Sequence, residues 1–239
     1  MKQINNDFYC DLDWTQEDHP IALLRAENKV RAPWVSQEIR SQIGSHAKVL
    51  DVGCGAGFLS NALAEDGFET VGIDLSNSSL EIARQTGKAH YIQANAYSLP
   101  FPKASFDAVC AMDILEHVEV PSLLVAEAAR VLKPGGLFFF HTFNRNPLSY
   151  LVIIKGVEWF VPNTPPNMHV YPLFIRPHEL EEHFELYKLN ATVWRGFIPT
   201  VSSVLKMVLT RRIPEDFSFH FSRSLKTGYC GIAVKQVNY

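Results

Sequence analysis

Glycines at positions 53, 55 and 57 follow directly on the apolar run Val49-Leu50-Asp51-Val52, and Asp74 stands 21 positions beyond Gly53. A strand ending in such a run makes a tight turn that lets the backbone approach a ligand closely. A carboxylate at the end of the next strand accepts hydrogen bonds from the two hydroxyls of a ribose. Together these residues describe a nucleotide-type cofactor site. Phe58 occupies the place where a dinucleotide fingerprint needs its last glycine, which speaks against a nicotinamide-dependent dehydrogenase.

Three further clusters carry chemistry. Asn95-Ala96 and Met112 each end a β-type run. Asn95 can offer its amide to an adenine or simply build a turn, and Met112 can pack on an adenosyl group or belong to the core. Asp113, Glu116 and His117 stand at i, i+3 and i+4, so a helical turn would bring them to one face. Two carboxylates and an imidazole suit Mg2+, Zn2+ or another divalent cation, which lowers the pKa of a bound phenol. Without a metal, His117 is the candidate general base, since imidazole titrates near working pH. His141 and His169 line the acceptor side or are satisfied polar residues, and Asn144, Arg145 and Asn146 contact an acceptor or build a turn.

These residues need a parallel sheet to bring them together. Lys48–Val52, Thr70–Ile73, His90–Ile92, Ala108–Ala111 and Leu137–Thr142 read as strands, with helices at 59–66, 80–86 and 121–132. This βα alternation predicts an α/β, doubly wound, Rossmann-like and mostly parallel sheet, whose ligands gather at the carboxyl ends of its strands. Lys133-Pro134-Gly135-Gly136 stops a helix ahead of the apolar Leu137-Phe138-Phe139-Phe140. The expected organisation is a single domain over 1–239. It comprises a helical N-terminal cap over 1–46, a cofactor-binding core over 47–143, an aromatic insertion or lid over 144–177, and a closing helix and strands over 178–239. Leu189–Trp194 and Tyr229–Lys235 are the closing strands, the sheet ending with an antiparallel one.

The chain has 239 residues, 47% of them hydrophobic, and a net charge of -3, enough for a full core and the wrong balance for a general nucleic-acid binder. Cys10, Cys54, Cys110 and Cys230 are scattered, without a metal or disulfide pattern, and the polar start lacks the marks of a signal peptide. A cytoplasmic protein is expected. Residues 148–162 combine bulky apolar side chains with Trp159, Lys155 and Glu158, a composition for an interfacial segment on the inner membrane face or for a packed lid. Lys206, Arg211 and Arg212 can meet anionic lipid or stay solvated. Oligomeric state carries no signal.

With Asp51–Phe58, Asp74, Ala111–Val118 and Lys133–Gly136 in place, the chain resembles class I S-adenosylmethionine methyltransferases. Thr142-Phe143-Asn144-Arg145-Asn146 and Phe174-Ile175-Arg176-Pro177-His178-Glu179-Leu180 look like the ubiquinone-biosynthesis O-methyltransferases. The resemblance implies S-adenosylmethionine as cofactor and O-methylation of a phenolic, polyprenylated quinone precursor, with Arg31 holding the cofactor's carboxylate through its donor fork. The expected cofactor set is Arg31, Asp51, Gly53, Gly55, Gly57, Asp74, Leu75, Asn95, Ala96 and Met112. The catalytic or metal set is Asp113, Glu116 and His117. Asp113 stands where the family commonly has glutamate, and Val170-Tyr171-Pro172-Leu173 is less polar than the family, so another lipophilic or small acceptor stays open. A noncatalytic cofactor-binding module is the remaining alternative.

Overall fold

The computed structural model describes Trp14 and residues 19–237. Its centre is an eight-stranded sheet in the order β3-β2-β1-β4-β5-β8-β6-β7. Strands β1 (Lys48–Val52), β2 (Glu69–Asp74), β3 (His90–Gln93), β4 (Phe106–Met112) and β5 (Leu132–Phe143) are mutually parallel. Strand β8 (Gly228–Lys235) runs antiparallel between β5 and β6 (Leu189–Pro199), and β7 (Phe219–Ser222) pairs antiparallel with β6 at the edge. Helices α1 (Ile21–Gln42), α2 (Phe58–Glu65), α3 (Asn77–Thr86), α4 (Pro121–Val131) and α7 (Pro177–Leu186) cover the faces. Between β5 and α7 the insertion runs as α5 (Pro147–Ser149), a π-helical stretch (Tyr150–Lys155) and α6 (Gly156–Phe160).

Because strand side chains alternate in direction, β5 feeds two cores at once. Phe138 and Phe140 pack on one face with Phe184 of α7, and Phe139 packs on the other with Trp34 and Ile39 of α1; all three β5 phenylalanines are fully buried. This explains a continuous apolar run in a strand covered on both sides.

Two expectations need correction. Strand β5 begins at Leu132, which pairs with Phe106; Lys133-Pro134-Gly135-Gly136 then loops out, with Gly135 at φ +78°, and pairing with β4 resumes at Leu137 and Ala108. Beyond the two closing strands the chain also forms β7 and an additional helix, α8 (Val201–Thr210). The helical cap is α1; the part of that expectation falling on residues 1–13 and 15–18, Cys10 among them, lies outside the described residues. Cys54, Cys110 and Cys230 are unpaired thiols. No helix among the described residues is long and apolar enough to cross a membrane.

Candidate active site

The glycine loop leaves the carboxyl end of β1 and enters α2. Gly57 sits at the N-cap with φ +77°, and a Cβ there would lie 2.2 Å from the Tyr91 hydroxyl, so conformation and space both call for glycine. Three hydrogen bonds fix the loop to β2. The Gly53 and Cys54 amides donate to the Ile73 carbonyl at 2.8 and 2.9 Å, and the Gly55 amide donates to Asp74 Oδ2 at 2.9 Å. Asp74 Oδ1 accepts from the Ser76 amide at 2.8 Å, so each oxygen keeps lone-pair capacity for a further donor. Asp51, buried under the loop, accepts from Ser60 Oγ at 2.6 Å, and burial pushes its pKa up to about 6. Leu75 is exposed beside Asp74, and Ala96 is buried. The Asn95 side-chain oxygen accepts from the Tyr97 amide at 2.9 Å, a turn contact, and the residue lines the cavity. Met112 both packs in the core under α1 and lines the cavity.

The acidic edge departs from expectation. Asp113 has φ +59° and precedes the short 3-10 turn Leu115–His117, so it does not share a helical turn with Glu116 and His117. Asp113 instead meets Arg31 of α1 in a bidentate pair, Nη1 to Oδ1 at 2.9 Å and Nη2 to Oδ2 at 2.5 Å, and makes a short contact with His141 Nδ1. Glu27 Oε2 lies 2.8 Å from Arg31 Nη2, one turn earlier on α1. Burial alone would raise the Asp113 pKa, but the Arg31 charge and then His141 outweigh it and hold the carboxyl well below its usual range. The predicted trio Asp113, Glu116 and His117 is spread over two groups of possible ligands that share Glu116. Ligand atoms of Glu116, His117 and His169 lie within 4.8 Å of one another, as do those of Asp113, Glu116 and His141. The expectation that Arg31 stands ready for a cofactor carboxylate also changes, since its fork is engaged by Asp113.

Among the described residues neither oxygen of Glu116 has a hydrogen-bond partner, and burial, reinforced by the Asp113 charge, pushes its pKa up to about 8. Glu27 is pushed to about 8 in the same way, whereas burial lowers His117 to about 4 and His169 to about 3. The two raised carboxyls hold protons that the unfolded chain releases above its ordinary value of 4.5; their stabilisation is complete below that value and is lost as pH rises to about 8. The lowered histidines act only below their ordinary 6.5. From there to pH 8 the fold should lose about 1 kcal/mol per pH unit for each carboxyl. Glu116→Gln, which copies the protonated acid, should roughly halve that slope in urea midpoints. An unchanged slope contradicts the assignment.

One cavity of about 1450 Å³ joins these groups, lined by Gly53, Asp74, Asn95, Glu116, His117 and His141 and walled farther on by Leu151, Trp159, Phe160, Met207 and Phe217. Residues 50–140 match the family model for a methyltransferase domain. Among curated proteins, the ubiquinone biosynthesis O-methyltransferase of Bordetella bronchiseptica is 36% identical over 77% of this chain and 78% of its own length. That of Thiobacillus denitrificans is 40% identical over 70% and 73%. The chain belongs to the ubiquinone biosynthesis O-methyltransferase family. It is an S-adenosylmethionine-dependent O-methyltransferase. Solved structures agree on the fold: an S-adenosylmethionine-dependent methyltransferase of Methanosarcina mazei superposes with TM-score 0.60 at 21% identity, covering 84% of this chain and 98% of that one. The magnesium protoporphyrin IX methyltransferase of Synechocystis with bound S-adenosylhomocysteine superposes with TM-score 0.61 at 16% identity over 95% and 89%.

Two members of the methyltransferase's buried polar network were not among the expected site residues. Glu27 carried a signal, since a carboxylate four residues before an arginine on a helix pairs with it. His141 carried another, because parallel β4 and β5 place it opposite Met112, next to the residue that turns out of β4.

Proposed function

We propose that the enzyme methylates a phenolic hydroxyl of a polyprenylated quinone precursor, working from the cytoplasmic side against a membrane surface. The observation that carries this is the cavity: about 1450 Å³ exceeds the roughly 300–1,000 Å³ that serves one small molecule, and its far half is apolar. Leu151 and Trp159 of the insertion, which line the cavity, are 52% and 61% exposed, and α8, whose Val204 and Val208 also line it, carries Val201 and Leu209 at 74% and 82% exposure. A long apolar tail can leave such a cavity into the acyl boundary, where amphipathic helices settle. The names of the curated relatives support the same acceptor class.

Bound S-adenosylmethionine supplies a methyl carbon on a sulfonium sulfur. Asp74 takes the ribose hydroxyls, Arg31 shares its charge between Asp113 and the cofactor's carboxylate, Met112 packs on the adenosyl group, and the aromatic walls exclude water from the acceptor oxygen. Of the predicted metal ligands, Asp113 is engaged by Arg31 and His141, whereas Glu116 and His117 have ligand atoms within 4.8 Å of each other and of His169, a donor set that would suit a divalent cation.

Calorimetry with S-adenosylhomocysteine should show micromolar or tighter binding, and a prenylated catechol acid offered in anionic liposomes should be O-methylated. Leu151→Asp combined with Trp159→Asp should abolish liposome cosedimentation while sparing calorimetric binding. No methyl transfer from the intact protein would end the acceptor reading, and undiminished sedimentation would end the membrane reading.

A further inference from the structure

Helix α8 carries an apolar arc that begins inside the molecule and ends outside it. Its polar side is the one that is fastened down: Ser203 Oγ accepts from Thr200 Oγ1 at 2.7 Å and from the Ser218 amide at 3.1 Å, and Lys206 pairs with Asp216. Val204, Met207 and Val208, three and four residues apart, form one stripe, and all three line the cavity. Met207 is held there against Ala26 of α1, Val161 and Phe217. Val201, Leu205 and Leu209, each four residues apart, form a second stripe that is exposed. Val204 stands three residues after Val201, and Val208 three after Leu205, so the two stripes abut along the helix. Val208 belongs to both, being at once exposed and part of the cavity wall.

We propose that α8 is the specificity element for the acceptor's tail: the apolar tail leaves the cavity over Val204, Met207 and Val208 and comes to lie on Val201, Leu205 and Leu209. The assignment rests on the prenylated-acceptor reading above and adds the residues that sense tail length. Continuity with the cavity wall selects this occupant, since neither a lipid surface nor a second copy of the chain would use apolar side chains that face into the cavity. A short tail ends among the cavity walls, whereas a long one reaches the outer stripe, where each methylene removed from water should tighten binding about fourfold.

The test uses two catechols in neutral detergent micelles, one with a single isoprene unit and one with a long polyprenyl tail. Leu205→Glu combined with Leu209→Glu should lower the ratio of kcat/KM for the long-tailed over the short-tailed acceptor by at least about tenfold, the effect of roughly two lost methylene contacts. Calorimetric affinity for S-adenosylhomocysteine should stay within a few fold, and Val201→Glu carries the same comparison if the double variant does not fold. An unchanged ratio overturns the proposal: with liposome cosedimentation lost it gives the outer stripe to the bilayer, and with a dimer dissolved in sedimentation equilibrium it gives the stripe to a second copy of the chain. If the intact enzyme methylates neither catechol, the acceptor reading falls, and the tail's route is then judged by labelling. A long prenyl alcohol carrying a diazirine at its far end should crosslink to α8 of the intact protein; labelling confined to other segments overturns the proposal.

Discussion

Arg31→Met should destabilise the folded chain by about 3–5 kcal/mol in urea unfolding, the cost of stranding a buried carboxylate. Arg31 is 4% exposed, and its guanidinium is the charge that faces Asp113 bidentately and Glu27 at 2.8 Å. Its Cζ also lies 5.5 Å from the centre of the Phe197 ring, so the side chain packs as well as pairs. Methionine retains much of the apolar volume and removes the charge. Arg31→Lys should recover only part of the loss, because an ammonium cannot offer the planar fork that Asp113 occupies. The pH dependence has a definite sign. The Asp113 carboxyl is held below its ordinary 3.8, so the pair's contribution is present above that value and lost as pH falls through it. Acid unfolding of Arg31→Met should therefore be flatter. A loss under about 1 kcal/mol would mean that Asp113 and Glu27 find other compensation, contrary to this geometry.

Asp74→Asn should weaken S-adenosylhomocysteine binding by at least about a hundredfold by calorimetry, since hydrogen bonds to a charged group contribute about 1.5–3 kcal/mol each and about 1.4 kcal/mol is tenfold. The carboxylate has two tasks. It accepts the Gly55 and Ser76 amides at 2.9 and 2.8 Å, tying the glycine loop to the end of β2, and it keeps lone pairs for the ribose hydroxyls. An asparagine has one oxygen, so its amide group must face one of those donors. The loop and the ribose subsite should loosen together. An affinity within threefold of the intact protein would remove Asp74 from the cofactor site.

The cofactor half of the site was legible in the sequence because its information is local. Glycines at the end of an apolar run and an acid at the end of the next determine a strand, a turn and a ribose acceptor whatever lies elsewhere, and β1, β2 and the loop between them follow that pattern. The helix α8 shows the limit of such reasoning. Val201, Leu205, Val208 and Leu209 are exposed while Met207 is buried, so the apolar periodicity of this helix does not point at the core, and no local pattern says what it faces.

The chemical half depended on contacts between distant parts of the chain. The spacing of Asp113, Glu116 and His117 suggests a shared helical face, but the left-handed φ of Asp113 puts it outside a helical turn, and it pairs with Arg31 and His141 while staying within 4.8 Å of Glu116. Its partners Arg31 and His141 lie 82 and 28 residues away. Sequence alone determined the sheet, the glycine turn and the acid at the end of β2. Only the tertiary structure decided which charges meet, because burying Asp113 requires a guanidinium from α1 and an imidazole from β5, and that requirement is settled by packing rather than by spacing along the chain.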